Sequence, residues 1–237
     1  MRYPMAEAGH GYTLQARIPA RSVVLEGEVH VGDESRGIVL FVHGSGSSRF
    51  SPRNQFVARS LRDAGLATLL FDLLTREEEA IDVATRHLRF DIGLLAERLV
   101  DASRWIRTRP ETRELKIGYF GASTGGGAAL VAAAELGDEV GAVVSRGGRP
   151  DLAADALARV KSPTLLIVGG FDEPVIRLNE EALARLRCEK ELRIVPGATH
   201  LFEEHGALEE VARLAGEWFG RHLRAGAKTD ARPHQGA

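Results

Sequence analysis

The sequence predicts an α/β fold: a mostly parallel, twisted sheet of about eight strands with an antiparallel N-terminal edge, flanked by helices. First, short apolar runs typical of buried strands alternate with helical stretches from Ile38 onward. Second, apolar and polar residues roughly alternate between Thr13 and Val31, as expected of antiparallel strands. Third, the 26 glycines among 237 residues suit a chain with many sharp strand-to-helix turns.

Each predicted element follows from a local pattern. Continuous apolar runs predict parallel strands at Ile38–Val42, Ala67–Phe71, Lys116–Phe120, Gly141–Val144, Thr164–Val168 and Glu191–Val195. Ser51 and Pro52 have the residue types of an N-cap and first helical position, and Gly65 ends that helix. Further helices are predicted at Phe90–Arg107, Thr124–Leu136, Leu152–Arg159, Val175–Arg187 and Leu208–Leu223.

We expect a single domain over residues 1–224 and a disordered tail over residues 225–237, which are polar and aperiodic. No spacer is long enough to encode a separate lid domain. Thr75–Leu88 is the largest irregular insert, and it could cover part of a site. Its acidic run is more typical of a solvated surface.

Composition excludes several classes of function. A formal charge of −2 without long runs of one sign argues against a nucleic-acid partner. Cys188 is the only cysteine, so no intrachain disulfide or cysteine-based zinc cluster can form. No signal peptide or membrane span is visible, so we expect a cytoplasmic protein without a membrane partner, either monomer or homodimer. No motif calls for a metal or cofactor.

The segment GASTG predicts a nucleophile. It matches GxSxG, in which Ser123 would sit on a strained turn between the strand KIGYF and a small-residue helix. The free amides and positive end of that helix point toward the serine, where an anionic intermediate would form. The alternative is a serine that only caps the helix.

The loop HGSGSS predicts the rest of an oxyanion hole, because glycines let backbone amides approach a substrate oxygen. We expect the amides of Ser45 and Thr124 to be the two donors. His43 precedes this loop and is interpreted as a structural hydrogen-bonding residue. Arg49, just downstream, and Arg146, after a later strand, are candidate contacts for an acidic substrate group.

A serine nucleophile needs a histidine base and a carboxylate to fix that histidine. Asp172 follows the strand TLLIVG, and its alternative role is to cap the next helix. His200 lies in the loop VPGATHLF after the last strand. Both lie where loops reach the carboxyl edge of the sheet, and the order serine, acid, histidine is that of α/β-hydrolases.

The segments VLFVHGSGSS, KIGYFGASTGGG, LLIVGGFDEP and VPGATHLF together resemble the α/β-hydrolase superfamily, specifically its dienelactone hydrolase-like branch. FDLLTREEE, RFD and SRGGRPDL also resemble a bacterial subgroup of hydrolases that are sometimes fused to phosphoribosyltransferase domains, and we expect no such second domain here. Dienelactone hydrolases proper are known for a cysteine nucleophile, whereas this chain has Ser123 at that place, which moves the expected chemistry from dienelactone to ordinary esters.

The predicted function is therefore cleavage of small or soluble carboxylic esters with short acyl chains through an acyl-enzyme intermediate. Thioester, lactone or amide cleavage on the same residues is the first alternative. A non-catalytic binding module that keeps the hydrolase fold is the second. Labelling of Ser123 by a fluorophosphonate would separate the enzyme from the binding module.

Overall fold

The computed structural model describes residues 11–223, which form one eight-stranded sheet with helices on both faces. The strands are β1 (Gly11–Ala20), β2 (Val23–Gly32), β3 (Gly37–Val42), β4 (Ala67–Phe71), β5 (Lys116–Ala122), β6 (Val140–Arg146), β7 (Thr164–Gly169) and β8 (Lys190–Val195). Their order across the sheet is β1-β2-β4-β3-β5-β6-β7-β8. β1 pairs antiparallel with β2, and β2 pairs antiparallel with β4. The six strands β3 to β8 are parallel to one another. The predicted fold class is confirmed.

The α-helices are α1 (Pro52–Asp63), α2 (Arg76–Thr85), α3 (Ile92–Thr108), α4 (Thr124–Leu136), α5 (Glu173–Arg185) and α6 (Ala207–His222). Shorter 3₁₀ segments lie at Leu88–Phe90, Gly137–Glu139 and Pro150–Arg159. Within the described part of the chain, no helix combines the length and apolar character needed to cross a membrane. The predicted tail, residues 225–237, lies outside the described residues.

Successive side chains of the central strands point to opposite faces of the sheet, and each face carries its own hydrophobic core. In β3, Val39 and Phe41 pack with α1 and α6, whereas Ile38, Leu40 and Val42 pack against the core that contains α3 and α4. Because both faces are covered, every residue of β3 is buried. This burial explains the continuous apolar run by which the strand was predicted.

The two outer strands differ in how they meet solvent. β1 forms a ten-residue ladder with β2, and the first half of β1 is exposed. β8 pairs only with β7 among the described strands, and charged residues occupy much of it, including Lys190, Glu191 and Arg193. The carboxyl ends of β3 and β5 to β8 meet at one edge of the sheet, where the candidate site lies.

One local prediction is wrong, and the helix predicted at Leu152–Arg159 is of a different type from the other helices. Thr75–Leu88 is not irregular, because it contains α2, whose N-terminus is a capping box: Thr75 accepts from the Glu78 amide and Glu78 accepts from the Thr75 amide. Pro150–Arg159 is 3₁₀ rather than α-helical, and it is kinked at Ala154, whose φ is +44°. Because an α-helix needs φ near about −63°, a regular α-helix cannot pass through that residue.

Candidate active site

Ser123 lies at the turn between β5 and α4 with φ 51° and ψ −123°, a backbone conformation that non-glycine residues rarely adopt. Its side chain makes no hydrogen bond to the helix that it precedes. The capping role considered for this serine is therefore not observed. The strained turn leaves the hydroxyl unused by the helix, as a nucleophile requires.

Glycines around Ser123 are needed because neighbouring backbones approach very closely. A Cβ added at Gly125 would lie 2.1 Å from the carbonyl oxygen of Val42, and one at Gly121 would lie 2.6 Å from that of Gly125. Such distances are far below van der Waals contact. The first turn of α4 therefore rests directly on the end of β3, which fixes the position of Ser123 relative to the loop that follows β3.

Asp172 and His200 are brought together by two loops at the same edge. Asp172 Oδ2 and His200 Nδ1 are 2.6 Å apart, and the Asp172 side chain is largely buried, with 13% exposed. Asp172 occupies the N-cap position of α5 but makes no side-chain cap hydrogen bond. The Asp172 carboxylate thus pairs with His200 and does not cap α5.

The loop that carries Asp172 and the loop that carries His200 pack backbone against backbone. The Phe171 amide donates to the Ala198 carbonyl at 2.9 Å, and a Cβ on Gly169 would approach that same oxygen to 2.5 Å. On the other side of His200, Glu204 accepts from both the amide and the hydroxyl of Thr199. These contacts hold the loop that carries His200 in position.

The segment from Arg146 to Arg149 links Ser123 to His200. The Ser123 amide donates to the Arg146 carbonyl at 3.3 Å, and the Arg149 amide donates to the Ser123 carbonyl at 3.0 Å. A Cβ on Gly147 would lie 3.5 Å from His200 Cε1. The serine and the histidine therefore contact one segment, although none of the hydrogen bonds among the described residues joins their side chains.

Thr124, the residue after Ser123, is at the first position of α4 and is 3% exposed. Its Oγ1 accepts a hydrogen bond of 2.9 Å from the amide of Ser45. The Ser45 amide is therefore not the free donor that we predicted. Because the bond joins residues 79 positions apart, no local sequence signal could have revealed it.

His43 makes the structural contacts expected of it. Its Nε2 accepts from the Leu73 amide at 3.0 Å, so Nδ1 carries the proton that is donated to the Gly44 carbonyl. Burial lowers its pKa and opposes the effects of the Gly44 carbonyl and two nearby carboxylates. The neutral ring thus joins the loop after β3 to the loop after β4.

The two candidate arginines differ in their partners. The Arg49 guanidinium pairs with the carboxylates of Asp72 and Glu26, so its charge is already neutralised. This arrangement contradicts a substrate-binding role for Arg49. Arg146 is 6% exposed, and among residues 11–223 its side chain makes one hydrogen bond, from Nη2 to Asn54 Oδ1 at 3.4 Å.

A small cavity lies between the loop after β3 and the segment that carries α2. Gly44–Ser47 line one side, and Glu79, Asp82 and Arg89 line the other. Asp82 is fully buried and pairs with Arg89 at 2.5 Å, and a Cβ on Gly46 would lie 3.5 Å from Arg89 Nη1. Thr75–Leu88, for which a solvated surface was favoured over a cover, therefore abuts the loop after β3 through Glu79 and Asp82.

Comparison with known proteins places the chain in a family. The sequence profile of the "Dienelactone hydrolase family" matches residues 25–223. The crystal structure of dienelactone hydrolase from Anabaena variabilis is 62% identical, with a TM-score of 0.89 over 91% of this chain and all of that one. Est1E from Butyrivibrio proteoclasticus is 16% identical, with a TM-score of 0.71 over 87% of this chain and 98% of that one, and shows the same fold.

Two sequence relatives from Mycobacterium tuberculosis strains are 57% identical over 209 residues and carry the provisional name phosphoribosyl transferase. The match covers 88% of this chain but 46% of each relative. This chain thus spans about half the length of those curated relatives.

Proposed function

Because the chain belongs to the dienelactone hydrolase family, we propose that it is a serine hydrolase that cleaves small or soluble carboxylic esters with short acyl chains. Ser123 Oγ attacks the ester carbonyl while His200 removes the hydroxyl proton, which it then gives to the departing alcohol. Asp172 orients His200 and balances the charge that His200 gains. Water attacks the acyl-enzyme, and the acid leaves.

The observation that carries this proposal is the placement of three groups at one edge of the sheet. Ser123 has a strained backbone and an uncapped side chain, and Asp172 and His200 form a 2.6 Å pair against the segment bonded to Ser123. Hydrogen bonds between base and nucleophile are often long before substrate binds. A binding module would have no need of this strain or this pair.

The proposed oxyanion hole consists of the Thr124 amide and the Thr124 hydroxyl. The amide lies at the first position of α4, where helix amides have no partner within the helix. The hydroxyl accepts from the Ser45 amide and keeps its own hydrogen to donate. Ser45 then acts through Thr124, and both donors gain from the positive end of α4.

Hydrolysis of 4-nitrophenyl acetate tests the proposal. We expect Ser123→Ala to remove nearly all turnover while the far-ultraviolet circular dichroism spectrum stays unchanged. Ser60→Ala is the control, because the Ser60 hydroxyl makes one hydrogen bond among the described residues, to the Phe56 carbonyl within α1. A fluorophosphonate should label the wild type and the control but not Ser123→Ala. Turnover that survives the loss of Ser123 would refute the proposed nucleophile.

Thioester, lactone and amide cleavage remain reactions to compare with ester cleavage. The name of the 62% identical Anabaena variabilis protein denotes hydrolysis of a lactone, which is a cyclic ester. An ester, a thioester and an amide with one acyl group and different leaving groups, compared with a lactone of similar size, would rank these reactions by kcat/KM. Of the four classes, we propose that open-chain esters have the highest kcat/KM. A higher kcat/KM for a thioester, lactone or amide would reassign the substrate class.

A further inference from the structure

Asn179 is a fully buried polar residue of α5 that the proposed mechanism does not yet use. Its Nδ2 donates to two carbonyl oxygens, that of Val175 in its own helix at 2.8 Å and that of Gly148 at 3.0 Å. Because carbonyl oxygens only accept, the nitrogen must face them, and Oδ1 is buried without a partner among the described residues. A leucine of similar shape would avoid this unpaired acceptor. The packing of α5 alone therefore does not account for an asparagine here.

The Gly148 carbonyl belongs to a peptide group whose other end contacts the nucleophile turn. The N–H of that group is the Arg149 amide, which donates to the Ser123 carbonyl at 3.0 Å. The Ser123 carbonyl in turn shares a peptide group with the Thr124 amide, the proposed oxyanion donor. Two planar peptide groups, each accepting at its oxygen and donating at its N–H, thus connect Asn179 Nδ2 to that donor. We call this chain the peptide relay.

Close packing confines the first peptide group of the relay. A Cβ on Gly148 would lie 1.8 Å from Ser145 Oγ, and a Cβ on Gly126 would lie 3.0 Å from Gly148 Cα. Gly147, with φ 51°, turns the chain just before this point. The segment therefore packs directly against the end of β6 and the first turn of α4. Because the peptide group is planar, a shift of the Gly148 carbonyl also moves the Arg149 amide.

Hydrogen bonds in such a chain strengthen one another. A donor at the oxygen of a peptide group draws electron density toward that oxygen and makes the N–H of the same group a better donor, by about 10–30% per bond. The Ser123 carbonyl also accepts from the Gly126 amide at 3.0 Å, so two donors polarise it. The Thr124 amide is thereby fixed in direction and polarised toward the point where an oxyanion would form.

We propose that Asn179 is a positioning residue for the oxyanion hole, and that it orients and polarises the Thr124 amide through the peptide relay. This inference rests on the proposed function, since it concerns the same oxyanion hole. Asn179 is enclosed by protein and acts only through the backbone. Its effect belongs to the transition state, in which the substrate oxygen gains charge, and not to substrate binding.

The kinetic test is hydrolysis of 4-nitrophenyl acetate by Asn179→Leu, which keeps the approximate shape but cannot donate. We expect kcat and kcat/KM each to fall about tenfold with KM unchanged, less than the roughly 10²–10³-fold loss of an oxyanion donor removed outright. Val175→Ala is the matched control, because it loosens the packing of α5 but keeps the Val175 carbonyl. Its kcat should stay nearly unchanged. A raised KM with unchanged kcat, or an equal loss in the control, would overturn the proposal.

Backbone amide chemical shifts test the relay without catalysis. In proton–nitrogen correlation spectra, the amide protons of Arg149 and Thr124 should move upfield in Asn179→Leu and stay in place in Val175→Ala. If Asn179→Leu does not fold, Asn179→Ala removes the same donor and should give the same shifts and the same loss of kcat. Unchanged shifts would overturn the relay. The expected shifts in a protein that hydrolyses no ester would instead refute the proposed hydrolase and keep the relay.

Discussion

The strained backbone of Ser123 should make the folded protein less stable than it would be with glycine at that position. At φ 51° and ψ −123°, the Cβ of any side chain crowds the neighbouring peptide groups. Ser123→Ala removes the hydroxyl but keeps the Cβ and its strain. Ser123→Gly removes both. The difference in stability between these two inactive variants therefore isolates the cost of holding a side chain in this conformation.

The expected magnitude is the strain released minus the flexibility that glycine adds to the unfolded chain. Strain at such positions is of order 1–3 kcal/mol. Glycine costs about 0.5–1 kcal/mol relative to alanine through the entropy of the unfolded state. We therefore expect Ser123→Gly to be more stable than Ser123→Ala by about 1 kcal/mol. In a protein of this size, that difference corresponds to a melting temperature about 2–4 °C higher.

Urea unfolding followed by circular dichroism, together with calorimetric melting, measures the difference. The two variants should unfold with the same dependence on urea concentration, since they expose the same surface. Neither should hydrolyse 4-nitrophenyl acetate. A Ser123→Gly protein that is no more stable than Ser123→Ala would refute the claim that the turn stores strain.

Three further predictions follow from single contacts. Asp172→Asn should lower kcat roughly 10⁴-fold in steady-state ester hydrolysis, as in comparable triads, because a neutral amide neither fixes the tautomer of His200 nor balances the charge that His200 gains; a loss below tenfold would contradict that role. Burial lowers the pKa of His43 from 6.5, so the stability that the neutral ring contributes above pH 6.5 should be lost as pH falls below that value. His43→Gln should weaken this decline in the free energy of unfolding, measured by urea titration at several pH values. An equal dependence on pH in wild type and variant would refute the role of His43. Tyr119→Phe removes a buried 2.6 Å hydrogen bond to Ser103 and should cost about 1 kcal/mol in thermal unfolding, whereas an unchanged melting temperature would contradict a net contribution from that bond.

Much of the fold was predictable because the periods of apolar residues reflect burial on one or both faces. The segment Ile38–Val42 reads as a central strand because both of its faces are covered. The positions of Ser123, Asp172 and His200 followed from chain order and from the shared edge of parallel strands. The structure places Asp172 and His200 in contact and sets Ser123 against a segment that also contacts His200.

What the sequence missed depends on partners that are distant in the chain. The residue types of the capping box, Thr75 and Glu78, are present in the sequence, but the acidic run was interpreted as solvated surface. In the structure, Glu78 pairs with the buried Arg98. Ion pairing of Arg49 with Asp72 requires residues 23 positions apart to meet, and periodicity carries no such information. Side-chain pairing at this range is determined only when the sheet is assembled.

Among residues 11–223, no strand pairs with the outer side of β8, and this edge has a consequence for how the protein behaves in solution. A strand that is paired on one side only offers the backbone amides and carbonyls of its other side to any extended segment of another molecule, which is a common start of aggregation. Lys190, Glu191 and Arg193 place charges along that flank, so an incoming strand would have to desolvate them. Colloidal stability and the candidate chemistry thus depend on different residues of the same sheet, and either property can change while the other is preserved.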